Sequence, residues 1–188
     1  TSNLKKVGPG NDNGAGGNIF NDKAIITNAG TGHLLLGNSA PDVFSNELEL
    51  NNIGTSYIYI GHNSSGNQYF GDVTLNNAGT GTDTRILIGE GNTLATNVFN
   101  GNVLVNNLST STDGLIRFNL RGRTEFNENI IVNSTVGSGS NGVDFGWPGY
   151  SGSASLALGK TITVGSSGFS KGTLLFQNFN QLGDTTQY

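Results

Sequence analysis

The sequence predicts an all-β fold, a right-handed parallel β-helix (β-solenoid) of about six coils, each with three short strands. Three observations predict it. Apolar residues occur in triplets such as "IYI" and "ILI", bounded by Gly and Asn, a pattern typical of short strands between tight turns. One triplet type recurs every 24 to 32 residues, within the range of solenoid repeats. An aromatic residue recurs at a third position in most repeats.

The first strand of each coil is an apolar–x–apolar triplet, usually followed by Asn. These triplets start at Ala24, Leu48, Val73, Val103, Ile130 and Ile162. Strand side chains alternate between faces, so the outer two residues of each triplet are expected to point into the core. Equivalent residues of successive coils then stack about 4.8 Å apart.

The second strand is another triplet, usually closed by Gly. These triplets start at Leu34, Ile58, Ile86, Ile116, Val143 and Leu174. The third strand carries the aromatic residue and predicts a stacked column of Phe20, Phe44, Phe70, Phe99 and Phe126. In the next coil the segment "GWPGYSGSAS", which contains the only Trp, displaces this element, and Leu156 or Leu158 takes the place of Phe.

Asn and Gly occupy the predicted corners between strands. Both tolerate the positive φ angles that tight corners need. Asn amides also both donate and accept, so stacked Asn side chains can bond along the coil axis.

The repeats define the domain organisation. Residues 20–188 are predicted to form the solenoid, and residues 1–19 an irregular adapter, a cap or the end of a preceding coil. A single coil buries too few apolar side chains to be stable alone, so several must stack. We expect the chain to be a fragment of a longer protein.

Composition excludes some functional classes. Nine basic and thirteen acidic residues give a net charge of −4. The basic residues are scattered, which argues against a nucleic-acid partner. Cys is absent, and no apolar run approaches the roughly 20 residues of a membrane-spanning helix.

Several stretches of the repeat resemble a known family. "FNGNVLVNN", "FNENIIVNSTVGSGSNGVDFG" and "LALGKTITVGSSGFSKGTLLFQNF" are similar to repeats in the very large surface adhesins of gliding, type IX-secreting Bacteroidota. The resemblance implies an exported filament held at the outer membrane and used in adhesion or gliding motility. It implies as partners other segments of the same chain, the secretion or motility machinery or an outer-membrane anchor protein, and an extracellular surface or polysaccharide.

Parallel β-helices can also carry catalytic carboxylates, often with Arg or Lys. The strongest pair is Arg117 with Asp144, at the middle positions of adjacent second strands. We interpret it as a cross-strand salt bridge. Glu49 has no carboxylate neighbour in its column, and Glu125 and Glu128 are expected to be solvated corner charges. No catalytic residue is predicted.

No metal or cofactor site is predicted either. His33 and His62 are expected in different parts of their coils, without a nucleophile or metal-ligand spacing. Asp12 lies in "GNDNGAGGN", which resembles a calcium loop only superficially because it lacks the regular acidic spacing of one. We favour a polar turn or cap there.

The middle residues of the first three second-strand triplets, Leu35, Tyr59 and Leu87, predict an exposed apolar strip across three coils. Such a patch often marks a contact surface. A flanking segment of this chain or a partner protein could cover it.

The resulting expectation is a non-enzymatic structural and adhesive stalk at the cell surface. The alternative is a carbohydrate-binding or polysaccharide-processing β-helix, for which only Tyr59, Trp147 and Tyr150 supply candidate outer aromatic residues. Ice binding is disfavoured because the Thr-x-Thr pairs do not occupy equivalent positions.

Overall fold

In the computed structural model the chain winds through three parallel β-sheets in turn, so that consecutive strands belong to different sheets. The structure describes residues 1–91, 94–135 and 142–182, which contain 21 strands and no helix. Each sheet has seven strands, one from each successive coil. This confirms the predicted parallel β-helix of about six turns.

The strands are numbered in chain order. The first sheet contains Ser2–Lys6 (β1), Ala24–Asn28 (β4), Leu48–Asn52 (β7), Val73–Asn77 (β10), Val103–Asn107 (β13), Ile130–Ser134 (β16) and Ile162–Phe169 (β19). The second contains Asp12–Asn13 (β2), Leu34–Leu35 (β5), Tyr57–Ile60 (β8), Arg85–Ile88 (β11), Leu115–Phe118 (β14), Val143–Phe145 (β17) and Leu174–Phe176 (β20). The third contains Ile19–Phe20 (β3), Val43–Phe44 (β6), Asn67–Tyr69 (β9), Thr96–Phe99 (β12), Arg123–Phe126 (β15), Ser153–Leu156 (β18) and Phe179–Gln181 (β21).

The stacking register matches the predicted repeat. Val73 pairs with Leu48 on one side and Val103 on the other. In the second sheet Ile86 lies between Ile58 and Ile116. Every predicted first triplet begins a strand of the first sheet. The spacing of apolar triplets is therefore the spacing of the coils.

Residues 2–20 also contribute a strand to each sheet. Lys6 pairs with Asn28 and is buried. Its ammonium group lies 3.1 Å from the Gly8 carbonyl oxygen and 3.1 Å from Asp12 Oδ2, and it also contacts the Gly10 carbonyl. The Lys6 side chain thus supplies a positive charge in the loop that superficially resembles a calcium site.

The core contains a continuous aromatic column. Its rings, with centroids 4.4 to 5.4 Å apart, belong to Phe20, Phe44, Tyr69, Phe99 and Phe126. A second stack begins in the second sheet, where the Phe118 and Phe145 centroids lie 5.0 Å apart. Edge contacts between Phe118 and Phe126 join the two stacks. Two aromatic stacks therefore run side by side in the core of the later coils.

The prediction that Phe70 belongs to this column is wrong. Tyr69 pairs with Phe99 and fills the core position, whereas Phe70 is 53% exposed. Strand β9 ends at Tyr69, and the next side chain points to the opposite face. In the last aromatic position Leu156 stacks on Phe126, and Leu158 is exposed.

The double Asn at the end of the first strand forms two different ladders. The outer ladder has amide bonds of 2.9 to 3.0 Å and contains half-buried Asn51, Asn76 and Asn106 and buried Asn133. The inner ladder lies one residue further along each strand. Its members Asn52, Asn77 and Asn107 are buried and bond at 3.1 and 3.2 Å.

The inner Asn residues also hold the loops that lead to the second strand. Asn77 Nδ2 donates to the Thr84 carbonyl at 3.0 Å, and Asn107 Nδ2 donates to the Gly114 carbonyl at 3.0 Å. Each of these Asn side chains therefore forms hydrogen bonds both to a neighbouring coil and to the loop of its own coil. Loops of different length can end at the same point because this anchor is constant.

The corner after the second strand has a left-handed conformation. Gly61 has φ 56°, and a Cβ atom there would lie 2.0 Å from Asn97 Oδ1. Asn119 adopts the same conformation with φ 61°, as expected for the non-glycine residue that tolerates it best. The predicted use of Gly and Asn at corners is confirmed at these two positions.

The two ladders predict different costs for the same substitution in adjacent residues. Asn77→Ala should lower the free energy of unfolding by about 2–3 kcal/mol, because it removes buried hydrogen bonds to Asn52, Asn107 and the Thr84 carbonyl. Asn76→Ala is the matched control and should cost about 0.5–1 kcal/mol, because water replaces its bonds. Urea unfolding followed by circular dichroism measures both values, and equal losses would contradict the distinction.

Candidate functional site

A cleft of about 480 Å³ lies on the outer face of the second sheet. We call it the aromatic cleft. Its lining combines two aromatic rings, two leucines and three charged groups, from Arg85, Glu90, Leu115, Arg117, Leu120, Trp147 and Tyr150. Its volume lies within the range of small-ligand sites.

The two rings are brought to the cleft by the irregular segment that follows β17. The Tyr150 N–H donates to the Trp147 carbonyl at 3.2 Å, which closes a four-residue turn. Pro148 occupies its second position, and Gly149 has φ 86° at the third. These are the residues that a type II turn requires. The turn places both rings beside the second sheet.

Arg117 is the central charged group of the cleft. Its Nε and Nη2 atoms each lie 3.3 Å from Asp144 Oδ2, and Nη1 lies 3.1 Å from Glu90 Oε1. The Trp147 ring lies 4.4 Å from the guanidinium carbon. The guanidinium group is therefore fixed by two carboxylates and an aromatic ring.

The predicted salt bridge between Arg117 and Asp144 is confirmed, since the two residues pair across β14 and β17. The pair differs from a surface ion pair because both residues are buried. Buried pairs have a large desolvation cost, and removal of one partner is strongly destabilising. Burial raises the pKa of Asp144 to about 6, against the opposing effect of Arg117. Burial likewise raises the pKa of Glu90, and Arg117 opposes it.

A second charged group borders the cleft. Arg85 lies 2.8 Å from Asp113 Oδ2 and 2.6 Å from Asp83 Oδ1, and it also lies over the Tyr57 ring. The Tyr57 hydroxyl donates to Asp83. Burial, reinforced by Asp83, raises the pKa of Tyr57 to about 12. Planar charged and aromatic groups thus extend from the cleft along the second sheet.

The strip of Leu35, Tyr59 and Leu87 is not exposed as predicted. Leu35 and Leu87 are 7% and 2% exposed, and Tyr59 is half-buried. The Tyr59 ring contacts the rings of His33, Tyr57 and His62, which a triplet pattern does not reveal. Contact between the strip and a partner stays a prediction, with Tyr59 as its most accessible residue.

His33 and His62 lie closer together than the sequence predicts. The Tyr59 ring has its centroid 5.6 Å from that of His33 and 4.9 Å from that of His62. Burial, together with His33, lowers the pKa of His62. Within residues 1–91, 94–135 and 142–182, no cluster of three or more His, Cys, Asp or Glu side chains is arranged to hold a metal ion.

The geometry favours binding over acid–base chemistry in the cleft. A pair of catalytic carboxylates must reach the substrate. The Asp144 side chain is only 2% exposed and lies against Arg117, and Glu90 is bonded to the same guanidinium group. Aromatic rings and fixed polar groups remain for contact with a ligand.

Sequence reasoning paired Arg117 with Asp144 but did not bring Trp147 to them, and it missed Glu90. The sequence does contain a pattern that links Glu90 and Trp147. Glu90 and Trp147 each follow the middle residue of a second-strand triplet by three positions. The two residues follow strands on either side of β14, and each contacts the guanidinium group of Arg117.

Comparison with known proteins finds no matching family model and no curated protein or solved structure that matches the chain significantly. Function is therefore inferred from the chain's own residues. The described part of the chain contains no helix long and apolar enough to cross a membrane.

The raised pKa of Asp144 gives the fold a defined pH dependence. An ordinary Asp side chain titrates near 3.8, and Asp144 near 6, so the folded chain holds this proton more tightly than the unfolded chain does. The contribution of Asp144 to the free energy of unfolding is largest below pH 4 and falls as the pH rises through 6. The loss is on the order of 3 kcal/mol.

Urea unfolding of the wild type and of Asp144→Asn at pH 4 and pH 7 measures this effect. The stability of the wild type relative to the variant should decrease between pH 4 and pH 7. An increase would mean that attraction to Arg117 outweighs burial and that the pKa of Asp144 is lowered rather than raised.

Proposed function

We propose that this chain is a structural and adhesive stalk segment of a large bacterial cell-surface adhesin, involved in surface adhesion or gliding motility. The observation that carries the proposal is the continuous stacking of the coils. All three sheets are parallel across their seven strands, with a register shift between Val132 and Ser134 where β16 pairs with β19, and the Asn ladders run along the same axis. Such a body transmits force through many parallel contacts and changes length little.

The proposed location is extracellular, at the outer membrane. The partners we propose are other segments of the same long chain, the secretion or motility machinery or an outer-membrane anchor protein, and an extracellular surface or polysaccharide. The resemblance to Bacteroidota adhesin repeats supports these assignments. We propose no catalytic role, no cofactor and no nucleic-acid partner.

The outward columns of the first sheet fit an adhesive role. They combine the outer Asn ladder with partly exposed apolar side chains such as Leu104 and Ile131. A shallow groove on this face is lined by Thr74, Leu104 and Ile131, among others. A long flat surface with mixed polarity can make many weak contacts, and such contacts strengthen one another when copies are linked.

A stalk must resist tension, and this can be measured by pulling single molecules held at residues 1 and 188. We expect the coils to peel off one after another. Each coil of 24 to 32 residues should release on the order of 80–110 Å of extended chain. Asn77→Ala should lower the force needed to release its coil, with Asn76→Ala as the control. Release of the whole chain in one step would count against a stalk built from stacked coils.

The adhesive part of the proposal needs a separate assay. A non-adhesive bacterium that displays the chain on an unrelated outer-membrane anchor should resist detachment from polysaccharide-coated glass under flow. Cells that display the anchor alone provide the baseline. Equal detachment of the two strains would refute adhesion, and new reducing ends released from the coating would refute the non-enzymatic assignment.

A further inference from the structure

We infer that the aromatic cleft binds a neutral, hydroxyl-rich saccharide. This inference goes beyond the stalk role, because a ligand site can be present or absent on a rigid solenoid. It rests on three properties of the cleft: accessible aromatic rings, polar groups that are already fixed in place, and the absence of excess positive charge among the groups described.

The rings provide the apolar contact that a sugar needs. Tyr150 is 41% exposed and Trp147 is half-buried, and both line the cleft. The C–H face of a pyranose ring is apolar and flat, so it packs well on an aromatic ring. Large amphipathic rings of this kind supply much of the contact energy at binding sites.

The polar groups suit sugar hydroxyls, which both donate and accept hydrogen bonds. Arg117 has five N–H donors on three nitrogen atoms. Asp144 accepts from Nε and Nη2, and Glu90 accepts from Nη1. Glu90 lines the same part of the cleft, where its Oε1 atom accepts from Arg117 Nη1 and holds the guanidinium group in place. Ion pairs already hold these side chains in place, so ligand binding costs little additional ordering.

The charge balance points to a neutral ligand. Three guanidinium groups lie at the cleft or on its rim, from Arg85, Arg117 and Arg121. Four carboxylates lie beside them, from Asp83, Glu90, Asp113 and Asp144. The positive charges are fully compensated, so the cleft offers no net attraction to uronic acids or other polyanions.

The cleft also has a length that suits more than one sugar residue. Its lining begins at Arg85 on β11 and ends at the turn after β17, which is two coil steps further on. Two strand spacings correspond to roughly 10 Å. Tyr57 and Tyr59 continue the aromatic surface into the preceding coil. A short oligosaccharide segment therefore fits the site better than a monosaccharide.

Affinity gel electrophoresis of the full chain tests the inference. Dextran, laminarin, mannan and agarose serve as neutral probes, and alginate and polygalacturonate as acidic probes. At least one neutral polysaccharide should retard the chain at physiological salt. Retardation by the acidic probes alone, or by no probe, would overturn the assignment.

Two matched variants locate the site. Tyr150→Ala should weaken binding to the retarding polysaccharide at least tenfold. Phe70→Ala removes another exposed aromatic ring, 53% exposed and outside the cleft, and should leave binding unchanged. Equal urea midpoints for the two variants would show that both remain folded. If Phe70→Ala weakened binding as much as Tyr150→Ala, the cleft would not be the site. Single-molecule unfolding forces should be the same with and without Tyr150, so a failure to bind sugar leaves the stalk proposal intact.

Discussion

The constraint on which the whole structure depends is that each residue lies one strand spacing, about 4.8 Å, from its equivalent in the next coil. A side chain in such a stack must interact favourably with a copy of itself. Asn satisfies this condition because its amide donates to one neighbour and accepts from the other, as Asn76 does between Asn51 and Asn106. Phe satisfies it by ring stacking, as between Phe118 and Phe145. The composition of the chain follows from this requirement.

The same constraint explains where the candidate binding groups lie. Identical charges stacked at one strand spacing repel each other, so a charged column must change sign from coil to coil. The outward column of the second sheet does this where Arg117 is followed by Asp144. Positions that vary between coils are therefore the ones that can bring different functional groups together. The aromatic cleft forms at such positions, beside core columns that remain regular.

Much of the fold could be predicted because strand starts follow from apolar spacing alone. The predictions were wrong where a shift of one residue decides which face of the sheet a side chain occupies. Phe70 differs from Tyr69 by one position at a strand end, and alternation then reverses inside and outside. Leu87 is only 2% exposed although it is the middle residue of its triplet, so the triplet pattern alone did not predict its burial. The meeting of Glu90 and Trp147 at Arg117 likewise depends on corner geometry, so only part of the site could be predicted.

The Trp147–Tyr150 turn has a consequence for how such a chain diversifies. The strands on either side of it keep their pairing, since β17 pairs with β14 and β20 while β18 pairs with β15 and β21. The length and the residues of the segment between them can therefore change while the strands on either side keep their register. In a solenoid of this type, a change in one loop can alter what that loop binds without changing the other coils.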